Sequence, residues 1–342
     1  MAGVDLVIEL PAVWASSPAE RFASAGVELL SKTGIVSVLS CGSESGNAKA
    51  LTECAAQLEE AENSLLLRNL LKEGMTYASA REKAMGALFG ADRAAFLREP
   101  NNILALEYLK AIRKLDQPMH FSTVERLGAG HNSCEASDKT ASASLLRKML
   151  GSGDILLQKK AMHFLPENTQ TLFQKALDDG QYVSNPSKLD CAVLYTLSER
   201  TADELKTLPD ISEGLENRFL EAVKTAQSVD ELLSMVKTKR YTMSRLRRIL
   251  YNMMLGNTKA LTLTSPPYIR ILDFEGERGR YLLKEMKKKS TLPIYHSMAQ
   301  LERDFPEYAA VEKRATRLFN LSCSSFGQEN EYMKFTPYSA KH

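Results

Sequence analysis

Short segments rich in ligand-binding side chains recur along the first half of the chain. They are CGSE at residues 41–44, PNNILALEYLKA at 100–111, VERLGAGH at 124–131 and SASLLRK at 142–148. Each segment lies where we predict a strand to end or a helix to begin. Because open α/β sheets bind ligands at the carboxyl ends of their strands, the segments together predict a nucleotide site.

Three residues of these segments are candidate nucleotide ligands. Gly42 has no side chain, so its backbone can approach a ligand closely. The amide of Asn101 could hydrogen-bond an adenine edge or a ribose. Arg126 precedes the small residues of the GAG sequence, and a guanidinium beside such a loop suits a phosphate. Each also has a simpler interpretation, as a turn glycine, an N-cap or a solvated arginine, so it is their combination that favours a nucleotide.

A helix predicted over 137–150 could supply a second phosphate contact. Ser142 and Ser144 lie at its start and Arg147 follows one turn later, an arrangement that can hold a polyphosphate. Serines at a helix start are more often simple caps. His131 shares the RLGAGH sequence with no carboxylate and no second histidine, and we expect it to be structural rather than catalytic.

Six basic residues crowd one stretch of the second half, with no acidic residue among them: Lys237, Lys239, Arg240, Arg245, Arg247 and Arg248. The net charge of the whole chain is only +2, so this cluster is a local feature that predicts contact with a phosphate backbone. Tyr241 and Tyr251 flank the arginines and could stack on bases. Met243, Leu246, Ile249 and Leu250 have helical spacing and predict the buried side of this helix. The alternative is a solvated basic helix face.

The positions of strands and helices predict an α/β fold class for roughly residues 1–150. Strands are expected at 4–10 and 35–40, and a helix that Ser17 and Glu20 open as a capping box lies between them. This order predicts a βαβ unit with neighbouring parallel strands. Three helices over 47–98, a helix capped by Asn101 and Asn102 and a strand at 118–124 should follow. Residues 151–342 are predicted to form a mainly helical second domain.

Composition limits the class of protein. The chain has 342 residues, of which 44% are hydrophobic and 25% charged, as in ordinary globular proteins. Its five cysteines include no CxxC pair, which argues against a zinc site or a disulfide framework. Neither a membrane-spanning apolar run nor a signal peptide is evident. We therefore expect a soluble cytoplasmic protein that binds neither membrane nor DNA.

The segments GVDLVIELP, CGSES, PNNILALEYLKA, RLGAGH, SASLLRK, EGLENRF and KTKRYTMSRLRRIL resemble the bacterial tRNA(Met) cytidine acetate ligase family. That family belongs to the HIGH-type nucleotidyltransferase-like group, and the resemblance extends from about residue 2 to residue 289. It implies a Rossmann-like nucleotidyltransferase domain followed by a helical tRNA-binding domain. It also implies an enzyme that uses ATP to convert acetate to acetyl-adenylate, and Mg²⁺ is expected because ATP chemistry usually needs it. The acetyl group would then pass to N4 of the wobble cytidine, position 34, of elongator tRNA(Met).

The resemblance also implies roles for particular residues. Gly42, Asn101 and Arg126 match the glycine, asparagine and arginine that contact ATP in the family. The stretch from Ser142 to Arg147 resembles the second phosphate-binding signature of the group, although Leu145 stands where a serine is usual. No acidic cluster stands out as a metal site.

One departure concerns the HxGH phosphate loop, which relatives carry ahead of GVDLVIELP and which this sequence does not contain. The histidines of that loop stabilise charge as pyrophosphate leaves. We therefore expect either that the sequence starts at an internal methionine or that the chain cannot adenylate acetate, and no catalytic residue is assigned. The alternatives are a non-catalytic tRNA-binding protein derived from the same family and a small-molecule nucleotidyltransferase.

Overall fold

The computed structural model describes residues 3–116, 119–126, 141–152, 154–178, 184–212 and 214–323. Over these ranges it contains five strands: β1 Leu6–Ile8, β2 Val38–Ser43, β3 His120–Glu125, β4 Ile269–Phe274 and β5 Ile294–Tyr295. The helices of the first half are α1 Ala12–Ala15, α2 Ala19–Lys32, α3 Ala48–Asn63, α4 Leu65–Lys72, α5 Tyr77–Phe89, α6 Ala91–Ala95, α7 Pro100–Ile112 and α8 Ala143–Leu150.

The later elements are mostly helical, as expected. They are α9 Ile155–Met162, α10 Glu167–Asp178, α11 Asp190–Ser198, α12 Ala202–Lys206, α13 Leu215–Ala222, α14 Val229–Val236, α15 Met243–Leu255, α16 Lys259–Thr262, α17 Gly276–Lys289, α18 Met298–Asp304 and α19 Pro306–Ser322. Two 3₁₀ turns, Phe96–Arg98 and Pro186–Leu189, complete the described elements.

The strands form two small sheets. β2 and β3 pair in parallel with Gly42 opposite Val124, whereas β1 pairs antiparallel with β4, and β4 pairs in parallel with β5. The predicted βαβ unit is therefore wrong, because β1 and β2 belong to different sheets. Ile269 and Ile271 of β4 pack with partly buried Leu6 and Ile8 of β1, so a distant apolar partner determines the pairing.

Strand β2 extends beyond its predicted end. Residues 41–43, expected to form a turn, continue the strand because β3 offers pairing partners as far as Glu125. The turn comes later, at Gly46, which has a φ of +59° and donates its backbone N–H to the Ser43 hydroxyl at 3.0 Å. Gly42 is thus a strand residue at the edge of the turn.

The predicted capping box at Ser17 is also wrong. Helix α2 begins at Ala19 behind Pro18, and no side chain caps its N-terminus. The Ser17 hydroxyl instead donates to the carbonyl oxygen of Val13 at 3.0 Å. The reason is the short helix α1, whose free C-terminal carbonyl groups lie just before Ser17 and compete for its hydroxyl.

The sheet that contains β1 uses residues from both predicted domains. Leu29 of α2 packs with Ile269 and Ile271 of β4 and with Leu283 and Met286 of α17. The boundary at residue 150 stays a prediction. Helices α11 to α15 form a separate hydrophobic core. Its buried residues include Leu197, Phe219, Leu232 and Leu246.

A buried charge cluster connects the two ends of the chain. The fully buried Arg270 of β4 contacts Glu9, the acidic residue of the VIELP segment, with 2.7 Å between Nη1 and Oε2. Glu312 of α19, also buried, accepts a hydrogen bond from the backbone N–H of Ala12. Burial and the neighbouring charge of Glu9 raise the pKa of Glu312 to about 8, against the lowering effects of the Ala12 hydrogen bond and Arg270. No helix within the described ranges has the length and apolarity to cross a bilayer.

Candidate nucleotide site and basic surface

The three residues predicted to contact ATP lie together. Gly42 is in β2, and Arg126 directly follows β3, the strand paired with it. A Cβ atom placed on Gly42 would lie 3.5 Å from Cγ of Arg126. Nη1 of Arg126 donates to Oδ1 of Asn101 at 3.4 Å. The carboxyl ends of β2 and β3 and the N-terminus of α7 therefore form one cluster, which we call the strand-end cluster.

Asn101 is not a helix cap, contrary to expectation. Helix α7 begins at Pro100, and its N-cap residue, Glu99, makes no side-chain cap. The Asn101 side chain donates from Nδ2 to Oε1 of Glu44, 2.6 Å away. Buried Asn102 accepts from the backbone N–H of Ser45 at 3.1 Å. Both asparagines thus fasten α7 to the turn after β2, because their amides bind polar groups of that turn.

Glu44 is the member of the strand-end cluster that the sequence reasoning missed. Its carboxylate accepts the backbone N–H groups of Asn101 at 3.2 Å and Asn102 at 2.8 Å. Burial alone would raise the pKa of Glu44, but hydrogen bonds from the Asn101 amide and from backbone N–H groups outweigh it and lower the pKa. The signal was the carboxylate of CGSE, which a helix N-terminus attracts. Nothing in the sequence said which helix it would meet.

Two hydroxyl groups support the strand ends from within. Ser43 is fully buried, and Thr123 of β3 lies 2.8 Å from its hydroxyl and 2.9 Å from the carbonyl oxygen of Cys41. These contacts hold the backbone around Gly42 against β3. The outer side of the cluster presents an exposed guanidinium, one amide oxygen and a strand edge without a side chain. Such an arrangement can bind a phosphate beside a group that donates hydrogen bonds.

The second phosphate segment lies at the start of α8. Ser142 is buried and caps α8, accepting the backbone N–H of Leu145 at 3.1 Å. Ser144 and Arg147 are exposed on α8, which packs against α9. Their phosphate-binding role stays a prediction. Residues 128–131, which include His131, lie outside the described residues.

Arg245 and Arg248, two of the six basic residues, contact the turn at Asp210. Arg245 donates from Nε and Nη2 to the carbonyl oxygen of Asp210, at 3.0 and 2.7 Å, and Arg248 contacts the Asp210 carboxylate at 2.9 Å. Asp210 has a φ of +67°, a conformation that costs energy for a residue with a side chain. The two arginines therefore stabilise a strained turn. Tyr241 lies under Arg245 and is only 5% exposed, so the expectation that it stacks on bases is wrong.

The remaining basic residues face solvent. The exposed residues are Lys237, Lys239, Arg240 and Arg247. Nη2 of Arg247 forms a long ion pair, 3.8 Å, with Oδ1 of the exposed Asp230. Tyr251, one turn after Arg247, is 50% exposed. The predicted apolar side of α15 is confirmed, since Leu246, Ile249 and Leu250 are buried and Met243 packs beside them. The exposed side could bind phosphates, and we call these four residues and Tyr251 the basic surface.

The strand-end cluster is separate from the large apolar cavity of the helical half. That cavity has a volume of about 740 Å³ and lies between α1, α11, α14, α15 and α19; Gly42, Asn101 and Arg126 do not line it. Among the described residues, no group of three or more His, Cys, Asp or Glu side chains is arranged so that it could bind a metal ion. The described side chains thus give no basis for assigning a metal ligand.

Comparisons with known proteins identify the family and fold of this chain. The family model HIGH Nucleotidyl Transferase matches residues 1–333. The tRNA(Met) cytidine acetate ligase of Caldanaerobacter subterraneus subsp. tengcongensis is 34% identical over 332 residues, which are 95% of this chain and 81% of that protein. The enzyme of the same description from Thermoanaerobacter sp. strain X514 is 36% identical over 328 residues, or 94% and 80% of the two chains.

Solved structures show the same fold. The crystal structure of apo TmcAL from Thermotoga maritima matches with a TM-score of 0.89 and 27% identity, covering 98% of this chain and 84% of that one. The structure of the same protein bound with alpha-thio ATP matches with a TM-score of 0.86 at equal identity and coverage. These matches define a nucleotidyl transferase of the HIGH class, and they confirm the expected α/β domain with a helical addition.

Within that class the chain belongs to the tRNA(Met) cytidine acetate ligase family. The family assignment expected from the sequence is thereby confirmed, and with it the expectation of an ATP-using ligase.

Proposed function

We propose that this chain binds ATP at the strand-end cluster and uses it to activate acetate for transfer to tRNA(Met). The observation that carries the proposal is the convergence of Gly42, Asn101 and Arg126 at the carboxyl ends of two paired parallel strands. This is the place where open α/β sheets bind nucleotides. The TmcAL neighbour bound with alpha-thio ATP supports the same ligand.

The proposed reaction has two steps. An acetate oxygen attacks the α-phosphate of ATP, which forms acetyl-adenylate and releases pyrophosphate. N4 of the wobble cytidine, position 34, then attacks the acetyl carbonyl, forming an amide and releasing AMP, while the amine gives up a proton. Arg126 is suited to hold phosphate oxygens as charge moves on them, since its guanidinium is exposed and fixed on one side by Asn101. Mg²⁺, which accompanies ATP, would bind to the phosphates.

The basic surface supports tRNA as the second substrate. Lys237, Lys239, Arg240 and Arg247 are exposed and present positive charge to solvent, which suits contact with a phosphate backbone. Tyr251, one turn after Arg247 on α15, provides an exposed ring on which an unpaired base could stack. Elongator tRNA(Met) would be bound here, and we place the protein in the cytoplasm, where tRNA is modified.

A single assay tests the proposal. The purified 342-residue chain is incubated with labelled acetate, ATP, Mg²⁺ and a tRNA(Met) transcript, and pyrophosphate, AMP and N4-acetylcytidine are measured. We expect one acetylcytidine per tRNA at position 34, with stoichiometric AMP. Replacement of Arg126 by Ala should lower the rate about 10²–10³-fold, as loss of a key electrostatic contact does. Arg98→Ala is the matched control, because Arg98 is exposed and forms an ion pair with Glu82.

A second candidate function is tRNA binding without chemistry, favoured by the lack of an HxGH sequence among these 342 residues. It predicts that the chain binds tRNA(Met) in a salt-dependent way but releases no pyrophosphate from ATP with acetate. Acetate consumption that does not depend on tRNA would instead indicate a small-molecule nucleotidyltransferase.

A further inference from the structure

The N-terminus of α7 is already occupied by a negative charge of the protein itself. A helix N-terminus usually attracts a phosphate, because its first backbone N–H groups lack partners within the helix. Here the two oxygens of Glu44 accept the N–H groups of Asn101 and Asn102, at 3.2 and 2.8 Å. A phosphate at this position would displace the carboxylate or be repelled by it. The phosphates of a bound nucleotide must therefore lie elsewhere.

Glu44 also fixes the orientation of the Asn101 amide. A carboxylate can only accept hydrogen bonds and a guanidinium can only donate them. Nδ2 of Asn101 must face Glu44, 2.6 Å away, and Oδ1 must face Arg126, 3.4 Å away. The reversed amide would place an oxygen against the carboxylate and an NH₂ group against the guanidinium. Asn101 therefore presents an oxygen, a hydrogen-bond acceptor, to the outer side of the cluster.

We propose that Glu44 is a positioning residue that makes the α7 side of the strand-end cluster selective for the adenosine part of the nucleotide. Hydrogen-bond donors of adenosine, the adenine amino group or the ribose hydroxyls, meet Oδ1 of Asn101 and the Glu44 carboxylate. The triphosphate lies towards Arg126, away from the helix end. This inference rests on the proposed function, because it assumes that the cluster binds ATP.

Replacement of Glu44 by Gln separates positioning from simple support of the fold. Gln keeps the size of the side chain but removes the charge and can itself donate, so the Asn101 amide is no longer held in one orientation. We expect the affinity for adenosine to fall about tenfold, the effect of one weakened charge-assisted hydrogen bond. The affinity for inorganic tripolyphosphate should stay equal or increase, because a negative charge has been removed.

Glu99→Gln is the matched control. Glu99 lies at the same helix end and loses the same charge, but its side chain makes no cap and is exposed. Titration calorimetry on the full chain would measure the binding of ATP, adenosine and tripolyphosphate to all three proteins, and thermal unfolding would report on the fold. We expect Glu99→Gln to change the adenosine affinity by less than twofold.

Analogues identify the donor that is bound. Purine riboside lacks the amino group, and 2′-deoxyadenosine and 3′-deoxyadenosine each lack one hydroxyl. The unmodified chain should bind one of the three more weakly than adenosine, and this preference should disappear in Glu44→Gln.

Different failures point to different errors. If the unmodified chain does not bind ATP, the proposed function is wrong and this inference with it. If ATP binds but Glu44→Gln binds adenosine as tightly as the unmodified chain does, the inference alone is wrong. A parallel loss of adenosine and tripolyphosphate binding together with a lower melting temperature would assign Glu44 a purely structural role and likewise overturn it.

Discussion

Glu9 and Arg270 form an ion pair at 2.7 Å across the antiparallel strands β1 and β4, although 261 residues separate them in the sequence. Arg270 is completely buried and Glu9 is 4% exposed. Two charges removed from water in this way are tolerated only when each satisfies the other. The pair therefore specifies which strand β1 joins, in addition to the apolar contacts of the sheet.

Replacement of Arg270 by Met should lower the free energy of unfolding by about 3–5 kcal/mol, because Glu9 would remain buried without its partner. Urea unfolding followed by circular dichroism measures this loss. The double variant Glu9→Gln, Arg270→Met should recover part of it, since no lone charge remains. Arg278→Met, at an exposed position of α17, is the control and should change the value by no more than about 0.5 kcal/mol. If Arg270→Met lowers the free energy of unfolding by no more than Arg278→Met does, the pair has no structural role.

Glu312 should make stability depend on pH in an unusual direction. Its pKa is raised to about 8 in the folded protein by burial and by Glu9, above the ordinary value of 4.5. Between these values the folded chain binds a proton that the unfolded chain does not, so this group destabilises the fold as pH rises towards 8. We expect a lower melting temperature at pH 9 than at pH 6.

Glu312→Gln removes that titration and should reduce the difference between pH 6 and pH 9, measured by differential scanning fluorimetry. Glu307→Gln, on the exposed first turn of the same helix, should leave the difference as it is. The same pH difference in Glu312→Gln as in the unmodified chain would show that another group titrates.

Replacement of Gly42 by Ala tests whether a ligand approaches the strand edge. The added Cβ would lie 3.5 Å from Arg126 Cγ, an ordinary contact that the fold can accommodate. It would still project from the surface that the nucleotide is proposed to contact. We expect the ATP affinity to fall at least about tenfold, the equivalent of one lost contact of 1.4 kcal/mol. Gly26→Ala, in a helix with open space around it, is the control and should not alter ATP binding.

The basic residues in and just before α15 should divide into two groups. Lys239→Ala combined with Arg247→Ala should weaken tRNA binding and lower the slope of log affinity against log salt by about 2, one unit per lost phosphate contact. Arg245→Ala should lower the melting temperature instead, because the carbonyl oxygen of Asp210 loses two hydrogen bonds. Filter binding over a range of salt concentrations and thermal unfolding distinguish these effects. If the salt slope changes in Arg245→Ala but not in the Lys239→Ala, Arg247→Ala variant, the assignment of tRNA-binding and structural residues is reversed.

The sequence predicted local features of the site well because they depend on neighbours in the chain. Residues 118–124 were expected as a strand and β3 spans His120–Glu125, so Arg126 was correctly placed at a strand end. Helix α15 and its apolar side followed from spacing alone. The convergence of Gly42, Asn101 and Arg126 required the additional assumption that strand ends meet at one edge.

Features that depend on distant partners could not be predicted. Glu44 looks like any turn carboxylate until the N-terminus of α7 lies against it. Arg245 and Tyr241 resemble RNA ligands in the sequence, but Arg245 binds the turn at Asp210 and its guanidinium covers the Tyr241 ring. The sequence placed β1 beside β2 because the two strands follow each other in the chain. In the structure β1 pairs with β4, where its apolar side chains are partly buried.

Because β1 pairs with β4, the first sheet can form only late in synthesis of the chain. A ribosome that adds about 5–20 residues per second needs roughly 13 to 50 s to synthesise the 261 residues from Leu10 to Arg270. During that interval the nascent β1 lacks its partner strand β4, and Glu9 lacks its ion-pair partner Arg270. We therefore expect chaperones to protect this segment. A transcript that stops before β4 would yield a chain in which this first sheet cannot form.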